Sequence, residues 1–148
     1  MTMTKTTITQ LFLRLALSVS FLSAVADRFG WWGGPGSPGV SWGNWQNFVA
    51  YSNSVNGFLP TSLGNVLAVA ATTLEVLLPV LLLIGYKTRI AAIGSGFLLL
   101  LFALGMTISF GAKAPLDYSV WTGAAASFLL STIATYRYSV DQAVASTR

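Results

Sequence analysis

The sequence contains no cysteine and no histidine. The absence of cysteine excludes disulfides, thiol redox relays and cysteine-ligated metal centres within this chain. The absence of histidine excludes imidazole acid–base catalysis and histidine-ligated haem. We therefore predict no catalytic residues, no metal site and no covalently bound cofactor. Any redox role requires a non-covalently bound cofactor, such as a quinone, or a partner protein.

Charged residues are also scarce. Asp, Glu, Lys and Arg make up 8% of the 148 residues, whereas hydrophobic residues make up 54%. Soluble domains carry about 25% charged residues, so this chain has too few charges to coat a water-exposed surface. Its eight Lys and Arg residues are scattered and form no basic stripe, which argues against nucleic-acid binding. Composition and length predict a single transmembrane domain over residues 1–148.

The chain contains four apolar segments, each about long enough to cross the hydrocarbon core of a bilayer once. They cover about residues 8–29, 63–85, 90–110 and 118–136. Because lipid cannot hydrogen-bond an open backbone, these segments should be helices. The predicted fold class is all-α, an integral membrane up-down four-helix bundle. The first segment has an alternative interpretation, since Lys5, an apolar run and Ala24-Val25-Ala26 also resemble a cleavable signal peptide.

The positions of the basic residues predict an orientation. One side of the predicted bundle holds Lys5, Lys87, Arg89, Arg137 and Arg148, and the other holds only Arg28 and Lys113. The positive-inside rule then places both termini and the turn at residues 86–89 in the cytoplasm. The loop at residues 30–59 is placed on the exterior side.

Two parts of this exterior loop differ in character. Residues 30–39 are too rich in Gly and Pro to hold a regular helix. Residues 44–55 place aromatic and apolar side chains at helical spacing, which predicts a short helix lying in the membrane interface with its aromatic side towards lipid. The predicted interfacial aromatic residues are Trp31, Trp32, Trp42, Trp45 and Phe48. They serve either as membrane anchors or as part of a binding site.

Glu75 is the most informative residue, because no other charge occurs between Leu63 and Gly85. A charged side chain at the centre of a bilayer costs about 2.5–3.5 kcal/mol on insertion scales, so it needs a partner, a proton or a wet cavity. Arg14, at a similar predicted depth in the first helix, is the predicted partner. The Arg14–Glu75 pair is interpreted either as a structural salt bridge or as a site for a polar head group or a proton relay.

A second group of polar residues is predicted at the exterior ends of the helices. It consists of Asp27, Arg28, Lys113, Asp117 and Tyr118. Solvation of the interface explains these residues in the simplest way. A binding role is the alternative, in which the cluster and nearby tryptophans hold a quinone head or a small anion.

Several short motifs occur in an order and spacing that resemble a known family. They are Arg14, Asp27-Arg28-Phe29-Gly30, Trp45-x-x-Phe48-x-x-Tyr51, Val55-Asn56-x-Phe58-Leu59-Pro60, Glu75, Gly85-x-x-Thr88-Arg89 and Lys113-Ala114-Pro115-Leu116-Asp117-Tyr118-Ser119. Through them the chain resembles the DoxX-like family of small four-helix bacterial membrane proteins. The resemblance implies a multi-pass protein of the bacterial inner membrane. By this analogy alone, Arg14, Glu75, Lys113 and Asp117 are candidate functional positions.

The resemblance also implies a range of functions, since some members are linked to thiosulfate:quinone oxidoreductase activity or to redox-associated membrane complexes. The favoured expectation is a non-catalytic accessory or assembly subunit of a membrane complex. The alternatives are a quinone-linked oxidoreductase component and a small proton-coupled transporter. The expected partners are the lipid bilayer and either other membrane subunits or further copies of the chain. Quinone or lipid is the expected ligand.

Overall fold

The computed structural model describes residues 5–146, and these residues contain helices and no strand. The helices, in chain order, are α1 (Lys5–Arg28), α2 (Trp45–Val55), α3 (Thr61–Ile84), α4 (Thr88–Phe110), α5 (Lys113–Asp117), α6 (Val120–Ser131) and α7 (Val140–Ala145). The all-α prediction is therefore confirmed for the described residues.

Three of the helices are long and apolar enough to cross a membrane. α1 and α3 have 24 residues each and α4 has 23. At about 1.5 Å per residue each is about 35 Å long, which exceeds the roughly 30 Å hydrocarbon core. Their ends lie within a few residues of the predicted boundaries, and Pro60 and Gly85 flank α3. Gly85 closes α3 in the left-handed conformation, at φ 69°.

The fourth predicted span is different. Instead of one helix over residues 118–136, the chain forms the short α5 and then α6, which has only 12 residues. A helix of that length rises about 18 Å and does not cross a bilayer alone. Ser119 separates the two helices with φ 54°, and Asp117 binds Lys113 rather than the start of α6. Four full-length spans are therefore not confirmed.

The last turn of α6 is tightened and capped by side chains. The Thr132 and Ile133 N–H groups donate to the carbonyls three residues before them, at 3.2 and 3.3 Å. The Tyr136 hydroxyl donates to the Leu130 carbonyl at 3.0 Å, and Arg89 Nε donates to the Ser131 carbonyl at 2.9 Å. Such contacts satisfy the carbonyls that the end of a helix leaves without an intrahelical partner.

The helices pack in the order α1, α3, α4, α6, and α2 lies against α3 and α4. The apolar core consists of Leu17, Phe21, Leu78, Leu82, Ala91, Ala92, Leu98 and Leu130. Small residues allow the closest approach, as membrane helices require. A Cβ added to Gly96 of α4 would lie 2.6 Å from the Phe128 ring of α6. By contrast, α1 and α6 touch each other much less extensively.

The segment after α6 folds back onto the turn between α3 and α4. The Asp141 carboxylate accepts hydrogen bonds from the backbone N–H groups of Lys87 and Thr88, at 2.7 and 2.8 Å. The Asp141 N–H in turn donates to the Gly85 carbonyl at 2.9 Å. A carboxylate at the N-terminus of α4 satisfies unpaired donors and complements the helix dipole. Asp141 therefore ties this segment to the α3–α4 turn.

We expect Asp141→Ala to lower the free energy of unfolding by about 0.5–2 kcal/mol, the usual effect of losing a helix cap. Thermal unfolding of the purified protein in detergent measures this change. The matched control is Asp117→Ala, which removes an exposed carboxylate from an i, i+4 pair worth about 0.3–0.5 kcal/mol. Equal shifts for the two variants would contradict the capping role of Asp141.

Candidate functional site

The buried carboxylate Glu75 is paired with Arg28. The guanidinium donates through Nη2 to Glu75 Oε1 at 2.8 Å and through Nη1 to Glu75 Oε2. Both residues are only 3% exposed. Nη1 also donates at 2.7 Å to the Thr72 hydroxyl, which itself donates to the Ala68 carbonyl. This two-pronged geometry is the strong form of an arginine–carboxylate contact.

An aromatic lid covers the same guanidinium. The Arg28 carbon Cζ lies 3.8 Å from the centre of the Phe48 ring and 5.4 Å from that of Trp42. The two rings meet edge to face, with 5.2 Å between centres. Cations bind the faces of aromatic rings, so the lid stabilises the Arg28 guanidinium away from water. Arg28 Nε is buried and has no hydrogen-bond acceptor among the described residues.

The predicted Arg14–Glu75 pair is wrong. Arg14 is also buried, but it binds backbone carbonyl groups at the opposite end of the helices. Its Nε donates to the Leu82 carbonyl at 2.7 Å and its Nη2 to the Leu83 carbonyl at 3.0 Å. Its Nη1 contacts the Gln10 side chain and the carbonyls of Arg137 and Tyr138, at 3.2–3.3 Å.

The register of α1 against α3 explains this correction. Ser18 donates to the Pro79 carbonyl at 3.0 Å and Arg14 reaches Leu82, so the two helices run in opposite directions. Glu75 lies seven residues before Leu82, which is about 10 Å of helix rise. The last carbonyls of α3 have no partner within the helix and carry its negative dipole end. They attract Arg14 and leave Glu75 to Arg28.

Asp27, the neighbour of Arg28, organises the loop above the pair. Its carboxylate accepts three backbone hydrogen bonds, from Ser41 at 2.8 Å, Trp42 at 3.0 Å and Gly43 at 2.9 Å. Gly43 has φ +68°, and a Cβ there would lie 2.4 Å from the Pro35 nitrogen. Only glycine fits this compact turn. Asp27 thus positions Trp42, and Trp42 packs on the Phe48 ring that covers Arg28.

The predicted exterior cluster is not one cluster. Asp27 binds the loop and Arg28 binds Glu75, while Lys113 and Asp117 form an exposed ion pair with each other. Side chains four residues apart on a helix are neighbours even without tertiary contacts. This local proximity accounts for the Lys113–Asp117 pair. Tyr118 does lie near the other two predicted residues, because it lines the same cavity as Asp27 and Arg28.

The predicted interfacial aromatic residues divide into two groups. Trp31 and Trp32 are exposed, at 81% and 63%, whereas Phe48 is only 5% exposed. Trp42 and Trp45 are half-buried, and Trp45 stacks on Phe29 with 5.9 Å between ring centres. The prediction that Phe48 faces lipid is wrong, since α2 turns its apolar side onto α3 and α4. Helical spacing identifies an apolar face but not whether protein or lipid covers it.

A cavity of about 990 Å³ lies beside the pair, between α1, α2 and the loop, and we call it the Arg28 cavity. Ligand sites usually measure about 300–1,000 Å³ and combine apolar walls with a few polar groups. The polar groups here include Ser20, Asp27, Arg28, Asn47, Tyr51, Asn56, Glu75 and Tyr118, and the apolar ones include Leu99, Phe102 and Met106. The cavity therefore has the size of a ligand site and combines polar with apolar walls.

The charges in the wall restrict what the Arg28 cavity can bind. Arg28 contributes one positive charge, whereas Asp27 and Glu75 contribute two negative ones. Burial, and then the nearby Tyr118, raise the pKa of Tyr51, so its hydroxyl remains a neutral donor at physiological pH. The described residues contain no group of metal-binding side chains. Hydroxyl, amide and guanidinium groups instead suit a neutral head that carries oxygen atoms.

The family comparison matches residues 9–112 to DoxX. This range covers most of the chain and includes Arg14, Asp27, Arg28 and Glu75, so the protein belongs to the DoxX family. Lys113, Asp117 and Tyr118 lie just beyond the matched residues. Comparisons with curated proteins and with solved structures found no match.

Three polar residues of structural importance escaped the sequence analysis. Asp141 caps α4, Gln10 supports Arg14 and donates to the Arg137 carbonyl, and Thr72 supports Arg28. Thr72 and Gln10 each carried a usable signal, since Thr72 lies one turn before Glu75 and Gln10 lies one turn before Arg14. Asp141 makes its contacts, and Gln10 its bond to the Arg137 carbonyl, across large distances in sequence, which periodicity cannot reveal.

We expect Glu75→Leu alone to cost about 3–5 kcal/mol of stability, because it leaves Arg28 buried without its counter-charge. The double variant Arg28→Leu/Glu75→Leu should cost less than the two single changes added together. Unfolding in detergent with increasing dodecyl sulfate measures both.

The matched comparison is Arg14→Leu combined with Glu75→Leu. Arg14 and Glu75 do not touch, so their effects should add to within about 0.5 kcal/mol. The Arg28–Glu75 pair would be refuted if the stability losses at these two positions were additive. Strong coupling between Arg14 and Glu75 in the same experiment would support the pair predicted from the sequence.

Proposed function

We propose that this protein is a membrane subunit that binds a lipid-soluble ligand with a neutral, oxygen-bearing head in the Arg28 cavity. The observation that carries the proposal is the Arg28–Glu75 pair in the wall of a cavity of about 990 Å³ that hydroxyl and amide side chains also line. Glu75 and Thr72 already hold the guanidinium, and its Nε is buried. The Tyr51, Tyr118 and Asn47 side chains are therefore the wall groups that a ligand oxygen would contact.

Quinone is the first ligand to test, and a neutral lipid is the second. A quinone head is uncharged and has two carbonyl acceptors, which matches the guanidinium and the hydroxyl and amide groups of the wall. A small anion such as thiosulfate fits less well, because the wall carries more negative than positive charge. The proposed role is therefore ligand binding within a larger membrane assembly, with electron transfer performed by a partner.

The same proposal includes an orientation and a location. Lys87, Arg89 and Arg137 lie at the Arg14 end of the molecule, whereas the Arg28 cavity lies at the other end. By the positive-inside rule the Arg14 end faces the cytoplasm and the cavity opens in the outer half of the bacterial inner membrane. Such a cavity is within reach of the quinone and lipid pool of that membrane.

Tryptophan fluorescence tests the proposed ligand, because Trp32 and Trp42 line the cavity and Trp31 does not. Titration of the protein with a short-tailed ubiquinone should give saturable quenching. Trp42→Phe should remove more of the saturable quenching than Trp31→Phe. Non-saturable quenching that is the same for every variant would refute quinone binding at this site.

We expect Tyr118→Phe to weaken quinone binding about two- to tenfold, which corresponds to one hydrogen bond of about 0.5–1.5 kcal/mol. Tyr138→Phe is the matched control, because Tyr138 is similarly exposed, at 61% against 69%, and does not line the cavity. Quenching titrations give both dissociation constants. Gentle purification, followed by identification of co-migrating proteins, tests the proposed assembly separately.

A further inference from the structure

A second hollow runs along the bundle where α1 and α6 make little contact. This α1–α6 groove has a volume of about 360 Å³. Small residues line it on both helices, with Ala16 and Ser20 on α1 and Gly123 and Ala126 on α6. Glu75 and Leu99 form its floor. Ala16 and Ser20 are exposed, so the groove reaches the outer surface of the helix bundle.

The groove and the Arg28 cavity lie side by side. Both are lined by Ser20, Ala24, Glu75, Leu99, Tyr118 and Val120. These shared residues form the boundary between the two hollows. The cavity is the more polar of the two, because Asp27 and Tyr51 line it in addition. The groove is lined mainly by apolar and small side chains.

We infer that the α1–α6 groove binds the single apolar chain of a neutral-headed lipid and admits it sideways from the bilayer. This inference rests on the proposed function for the position of the head, and it adds the site of the chain. At roughly 30 Å³ for a group the size of a water molecule, the groove holds on the order of ten methylene groups. That is room for one chain.

The charges that line the groove and the cavity also favour a lipid with an uncharged head. Glu75 lines the groove and the cavity, and Asp27 lines the cavity, against Arg28 alone. Placing a phosphate beside two carboxylates in a low-dielectric site is unfavourable. A head with hydroxyl or carbonyl groups meets no such repulsion. A single-chain lipid with an uncharged head therefore fits both the shape and the charge.

Photolabelling tests the groove directly. The probe is a monoacylglycerol with a diazirine in the middle of its chain, added to the full-length protein in phosphatidylcholine nanodiscs. We expect labels on the groove faces of α1 and α6, over residues 13–24 and 120–126, and we expect excess unlabelled monoacylglycerol to compete. Labels spread evenly over the lipid-facing sides of α1, α3 and α4, without competition, would overturn the inference.

A matched pair of variants sharpens this experiment. Ala16 and Ala125 are both exposed, on α1 and α6, but only Ala16 lines the groove. Ala16→Phe should reduce labelling of α6 roughly fivefold or more, equivalent to about 1 kcal/mol, and Ala125→Phe should leave it unchanged. Equal loss in both variants would count against the groove. The competition experiment on the unaltered protein is decisive even if Ala16→Phe does not fold.

The outcomes separate this inference from the proposed function. Groove labelling without saturable quinone quenching would retain the chain site and discard quinone as the head. The opposite outcome has two parts. A quinone without a tail would bind saturably and equally well to the Ala16→Phe variant, and the lipid probe would label the protein unspecifically. It would retain the head site and refute the groove.

Discussion

The structure depends above all on how it stabilises two opposite charges in an apolar interior. Moving Arg28 and Glu75 out of water costs several kcal/mol each, and only close geometry with additional hydrogen bonds offsets that cost. The additional partners come from three places: Thr72 on α3, Phe48 on α2, and Trp42 in the loop held by Asp27. The folded loop therefore helps to stabilise the buried ion pair, and the Arg28 cavity lies between the loop and the pair.

Two arginines on one helix have separate roles. Arg14 completes the hydrogen bonds at the end of α3, and Arg28 neutralises the charge in its middle. Polar contacts thus hold α1 to α3, whereas close packing at Gly96 brings α4 against α6. Polar contacts are specific in direction, and small residues allow backbones to approach. The two pairs of helices meet between α3 and α4 and again, much less extensively, between α1 and α6. The α1–α6 groove lies at this second, looser junction.

The sequence predicts the parts of this structure that depend on local patterns. Helices α1, α3 and α4 follow from apolar length, and the burial of Glu75 follows from its apolar neighbours. Pro60 and Gly85 mark the two ends of α3. The family match agrees with the order of the short motifs. Contacts between distant segments were predicted less well. Depth counted along the chain favoured Arg14 as the partner of Glu75, because sequence does not show that the carbonyls of Leu82 and Leu83 need a donor. Phe48 and the early end of α6 were mispredicted for the same reason, since each depends on a partner from another segment.

The contacts of Arg14 and Asp141 have a consequence for biogenesis. Arg14 binds carbonyls of residues 137 and 138, and Asp141 closes the turn between α3 and α4. A nascent chain can insert α1, α3 and α4 one after another, yet it cannot complete either contact until residues 137–141 have left the ribosome. Until then the start of α4 has unpaired N–H groups and Arg14 has only some of its acceptors. These contacts at the Arg14 end of the molecule therefore form only after the three long helices have been synthesised.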